Sequence, residues 1–240
     1  MTEADPSRTS PRAGRWPLGS GAQLTHAVVV SFAIITHFFV GFALIGPALG
    51  LTPDRVFDGS SAALLMTAAQ GVWGLGLVVG VGLLLIGRLK PADVGWRFHD
   101  LGRDVALGAL GALLLIVCVL GPAVLAGRLG VGETLATIRG FSPGQRAQIL
   151  LIGVLAAGTE ETVFRGYLQP GLVARLGFPA GLLVGALLFG LYHFPMGLPL
   201  GHLASKAVSG VVLGLLRGRD RSLVAPAFAH FLFWQLVGFT

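Results

Sequence analysis

Charge is scarce in this chain. Only 12% of its 240 residues are Asp, Glu, Lys or Arg, against 54% hydrophobic, which excludes an ordinary soluble domain and points to a polytopic membrane protein. Cysteine is scarcer still: Cys118 is the single one and lies in an apolar run. That excludes a disulfide framework within one chain and a cysteine-rich zinc site. The net charge is +6, yet the basic residues form no stripe interleaved with aromatics and no recognition helix, so nucleic acid is not an expected partner. Internal repeats and low-complexity tracts are absent as well, and only one polar cluster interrupts the apolar segments.

Glycine and long apolar runs are abundant. Many of the 37 glycines fall inside apolar segments, where small residues let helices approach closely in lipid. The expected fold is all-α, a polytopic transmembrane bundle of about seven helices, each near the ~20 residues that cross a bilayer. The stretches are Ala27 to Leu49, Ala62 to Ile86, Val105 to Ala126, Ala147 to Leu168, Phe178 to Pro195, Leu198 to Leu216 and Leu223 to Phe239. A tight turn is expected over Phe194-Pro-Met-Gly-Leu-Pro199. Residues 1–24 are polar with several Pro and Gly and read as a disordered cytoplasmic tail. They do not have the form of a signal peptide. Residues 25–145 then hold the N-terminal helices and loops, and 146–240 the candidate functional core. With the N-terminus inside, eleven basic loop residues are cytoplasmic and four, Arg55, Arg128, Arg139 and Arg146, lie opposite. The N-terminus is therefore expected to be cytoplasmic.

The polar cluster is Gly158-Thr-Glu-Glu-Thr-Val-Phe-Arg-Gly-Tyr-Leu-Gln169. An ionisable group in a membrane span costs about 2.5 to 3.5 kcal/mol on insertion scales and normally faces a working polar interior. Glu161 and Arg165 are i and i+4 in the favourable order for an ion pair, whereas Glu160 lies about 140° round the helix from Arg165. Glu160 is thus free to be a base or ligand. The plainer alternative is a polar clamp that fixes helix packing. His193 and His230 sit in the fifth and seventh segments. At ~1.5 Å per residue, Glu160, His230 and His193 lie roughly 15, 12 and 22 Å from the inner face, all within the hydrocarbon layer. One carboxylate and two imidazoles can activate a water, by general base catalysis or through bound zinc.

These residues resemble a known family. Glu160-Glu161-x-x-x-Arg165, Phe189-x-x-x-His193 and His230-x-x-x-Trp234, in that order, are similar to the motifs of the CPBP intramembrane proteases. That family includes the CAAX prenyl endopeptidases and bacterial relatives linked to bacteriocin maturation and self-immunity. The resemblance covers about the last 95 residues. It implies an intramembrane endopeptidase acting on a membrane-associated protein or peptide in the plasma membrane of a bacterium. In that reading Glu160 activates the water, Glu161 and Arg165 support it, and His193 and His230 hold the water or, with Glu160, a zinc ion. The family usually has Asn or Asp four residues after the last histidine, where this chain has Trp234. Either Gln235 or another donor would have to serve there.

Other protease classes lack their motifs. There is no His-Glu-x-x-His and no Gly-x-Gly-Asp, and Ser209-Gly210 follows Val208 and Ala207 instead of the Gly-x of a rhomboid-like site. The rival readings are a catalytically inactive scaffold or immunity protein of the same family, and a small transporter, although a transporter more often shows paired repeats. Lys206 is expected to snorkel to the interface, His37 and Gln70 to hydrogen-bond between helices, and Trp16 and Trp96 to anchor at the interface. The substrate and the oligomeric state are not legible in the residues.

Overall fold

The computed structural model describes residues 14–194, 200–218 and 222–237. Those residues are helical and contain no strand. We label α1 Gly21–Ala33, α2 Ser61–Ile86, α3 Leu101–Leu125, α4 Val131–Gly140, α5 Pro143–Leu176, α6 Phe178–Tyr192, α7 Leu200–Arg217 and α8 Val224–Val237. Of these, α2, α3 and α5 are long and apolar enough to cross a membrane, while α1, α6 and α8 are shorter apolar helices. Large side chains such as Val72, Leu85, Leu113 and Val117 stay exposed on α2 and α3, as lipid-facing surfaces require.

Local chemistry sets the helix starts. Ser142 opens α5 with a capping box: its Oγ accepts from Gln145 N at 3.2 Å, and Gln145 Oε1 accepts from Ser142 N at 3.0 Å. Pro143 follows at the first turn, where its missing N–H costs nothing. Gly177, at φ 79°, ends α5 in a conformation that a side chain would strain and starts α6 directly.

The boundaries depart from the sequence expectation in three places. The first predicted segment is not one helix: it breaks after Ala33, and short helical turns run from Thr36 to Ala48. The fourth continues past Leu168 to Leu176 through a π-helical stretch, Glu161–Leu168. Helix α4 was not foreseen, because Val131–Gly140 carries too few apolar residues for a span. Most of the predicted Phe194–Pro199 turn lies outside the described residues, as do residues 1–13 of the predicted tail. The described end of that tail is folded. Arg15 N donates to Gly87 O at 2.9 Å, and Gln23 Nε2 donates to Tyr167 O at 3.3 Å.

Packing brings α5 to the centre. It contacts α2 on one side and α8 on the other, and α6 covers its C-terminal end. Helix α8 also packs closely on α3, where a Cβ on Gly108 would lie 2.8 Å from Ala225 O, and α7 joins α6 at Gly210, whose added Cβ would lie 2.8 Å from Ala186 Cα. Two polar ties bind the N-terminal half to α5. Gln148, fully buried, donates to Val56 O at 2.8 Å and to Thr67 Oγ1 at 3.1 Å. Trp96 Nε1 donates to Thr162 Oγ1 at 2.9 Å, so Trp96 is a half-buried tie near the acidic pair and not the expected interface anchor.

Candidate active site

The site forms where the straight α-helix of α5 gives way to its π-helical stretch. Glu160 is the last residue of the first part and Glu161 the first of the second. Such i→i+5 interruptions recur at functional positions. Glu160, Glu161, Arg165, His193 and His230 are all buried, at 7%, 0%, 2%, 6% and 7% exposure, so these costly groups face protein and not lipid.

Glu161 is the anchor of the cluster. Its Oε1 accepts from Arg165 Nη1 at 3.1 Å and lies 2.8 Å from His230 Nδ1. The i,i+4 pair thus forms as helix geometry predicts. The imidazole contact was not foreseen. A carboxylate only accepts hydrogen bonds, so Nδ1 of His230 carries the hydrogen of this contact, the tautomer that leaves the lone pair on Nε2 whenever the ring is neutral. His193 is fixed in the same tautomer, because its Nδ1 donates to Phe189 O at 2.8 Å. The Phe189 ring lies between these groups, 5.0 Å from His193, 6.3 Å from His230 and 4.0 Å from the Arg165 guanidinium carbon. Helices α5, α6 and α8 therefore do converge.

Glu160 turns away from Arg165. Its Oε1 accepts a long bond from Tyr192 OH at 3.5 Å, and its Oε2 has no hydrogen-bonding partner among the described residues. Arg165 Nη2 and Glu161 Oε2 are likewise buried without one. Unpaired buried polar atoms are costly unless they serve a ligand or water. Glu160 also borders a cavity of about 100 Å³ that runs to the N-terminal half, where Ile34, His37, Thr67 and Gln70 line it together with Trp234. The first helices therefore shape the site, which the sequence reading had left to the last four.

Several placements correct the sequence reading. Gln70 does not make the expected interhelical bond: its Nε2 has no partner, and the side chain lines the cavity. His37 Nδ1 meets Ile34 O, one turn back in its own segment. Gln235 cannot replace the missing amide, because its Nε2 donates to Ile149 O at 3.3 Å and Phe231 O at 3.4 Å. Lys206 is half-buried, with Nζ 5.8 Å from the Trp234 ring centroid, instead of snorkelling to an interface. Tyr192 was missed altogether, although one of only two tyrosines stands beside His193.

Among the described residues no three His, Cys, Asp or Glu side chains group so as to hold an ion. Glu160, His193 and His230 do not form such a group, and the chemistry below is carried by the side chains alone.

Residues 142–234, which carry Glu160, Glu161, Arg165, Tyr192, His193, Lys206 and His230, match the family model described as Type II CAAX prenyl endopeptidase Rce1-like. This region is similar to the Rce1-like family. The Rce1-like family is a protease family, and the match runs from the Ser142 cap of α5 to Trp234 on α8. Neither the curated proteins nor the solved structures gave a match to the chain.

Proposed function

We propose that the protein is an intramembrane endopeptidase that hydrolyses a peptide bond of a membrane-associated protein or peptide, with Glu160 as the general base. The observation that carries this reading is the buried Glu160 carboxylate at the edge of a cavity, with Oε2 unpaired, beside a second carboxylate already neutralised by Arg165. A base must keep an oxygen available for the proton that it takes. Glu161 also leaves Oε2 unpaired, but its Oε1 is held by both Arg165 and His230 and it does not line the cavity that Glu160 borders.

The division of labour follows from those contacts. Glu160 Oε2 takes a proton from water as the water oxygen bonds to the substrate carbonyl carbon and the C=O electron pair moves onto its oxygen. His230, oriented by Glu161, offers Nε2 to hold the attacking water. When the tetrahedral centre collapses, the C–N bond breaks and the leaving nitrogen takes the proton from Glu160. General acid–base transfer of this kind contributes about 10²- to 10⁴-fold. Tyr192 steadies the other carboxylate oxygen, so that Oε2 stays directed to the cavity.

Peptide access needs an opening in the bundle. The cavity between the first helices and α5 is the route proposed for an extended substrate segment, and its wall of Ile34, Ile152 and Leu155 suits an apolar one. The test compares the protein termini in membranes of cells carrying the wild-type chain or Glu160→Gln at matched levels. New termini only with the wild type support the reading and name the substrate. Identical profiles from folded, inserted protein leave a non-catalytic membrane scaffold.

A further inference from the structure

The steps above place negative charge on the substrate carbonyl oxygen, and that oxyanion needs a preorganised donor or cation. Arg165 is already engaged. Its Nη1 bonds Glu161, and its guanidinium lies over the Phe189 ring. Lys206 differs in every respect. No ion pair joins it to a carboxylate among the described residues. Its Nζ stands 5.8 Å from the centroid of Trp234, within the ~6 Å range of a cation–π contact. Trp234 in turn borders the cavity that Glu160 borders.

We propose that Lys206 is a catalytic residue whose ammonium stabilises the oxyanion of the tetrahedral intermediate, with the Trp234 ring holding it at the edge of the cavity. The inference rests on the proteolytic reading. Lys206 keeps its proton throughout: the electron pair of the carbonyl moves to the oxygen, the ammonium donates a hydrogen bond to it, and the pair returns as the C–N bond breaks. Three rotatable donors on a long stem suit a charge that exists only in passing. A lysine that merely offsets the charge of Glu160 would instead act equally in the resting and reacting states.

The test uses the full chain in proteoliposomes, with a peptide substrate found by the terminus comparison and the same peptide carrying a phosphinate at the scissile position. Lys206→Met is expected to lower kcat about 10²- to 10³-fold with KM unchanged, and to weaken the phosphinate by a similar factor. Lys206→Arg, which keeps the charge, is expected to regain at least about a tenth of wild-type kcat. Trp234→Leu is expected to weaken the phosphinate about tenfold or less while leaving KM unchanged. A kcat within about threefold of wild type in Lys206→Met, or equal losses in KM and phosphinate affinity, would overturn the inference. So would Lys206→Arg behaving like Lys206→Met. Cleavage that depends on Glu160 but not on Lys206 sinks this inference alone. Wild-type protein that neither cleaves nor binds the phosphinate sinks the proteolytic reading, and this one with it.

Discussion

Removing the Arg165 guanidinium should expose how the site stores its charge. In Arg165→Met the fully buried Glu161 keeps only the 2.8 Å contact with His230 Nδ1 and loses the 3.1 Å contact with Nη1. Breaking a buried pair by deleting one partner costs about 3 to 5 kcal/mol, mostly because the other charge is stranded. The contact with the Phe189 ring, worth up to about 2 kcal/mol when desolvated, goes as well. Adding Glu161→Gln removes the stranded charge. The double variant should therefore recover most of the loss and stay about 2 kcal/mol below wild type. Reversible unfolding in mixed micelles, followed by circular dichroism, would measure all four corners of the cycle. Activity should not recover in the double variant, since His230 has lost its orienting carboxylate. An Arg165→Met protein as stable as wild type, or a double variant no better than the single, would refute the reasoning.

The remaining predictions use the same measurements. Tyr192→Phe removes only the 3.5 Å bond to Glu160, so stability should change by less than about 1 kcal/mol and kcat/KM should fall by no more than about tenfold. Ala156→Phe fills the cavity one turn before Glu160 and should raise KM for bulky substrates more than for small ones, as competitive cleavage of a peptide set would reveal. Gly108→Val places side-chain atoms against Ala225 O and the Phe228 side chain and should destabilise the packing of α3 on α8 by about 1 to 3 kcal/mol, seen as a lower unfolding midpoint.

What the sequence made legible was mostly local. The apolar runs located α2, α3, α6, α7 and α8 within a few residues, and the i,i+4 spacing of Glu161 and Arg165 foretold their pair, because both follow from the geometry of a single helix. The contact of His230 with Glu161 depends on how α8 is rotated, and a shift of one residue turns a helix face by about 100°. The same freedom hid Lys206: hydropathy reports that a lysine lies in a span, not which neighbour its head meets. Gln70 and Trp96 were misplaced for a related reason, as each side chain finds its surroundings only when the first helices close over α5. The break after Ala33 was not read from the run Ala27 to Leu49, although Thr36 and His37 stand just beyond it. Charge and motif spacing marked the site, whereas its second wall came from tertiary packing.

The central claim is that Glu160 activates a water for peptide-bond cleavage. It is tested most directly by cleavage of an identified substrate with purified protein in ¹⁸O-labelled water. The account predicts one labelled oxygen in each new carboxyl terminus, and a loss of about 10²-fold or more in Glu160→Gln at unchanged fold. Cleavage by Glu160→Gln at the wild-type rate would contradict it.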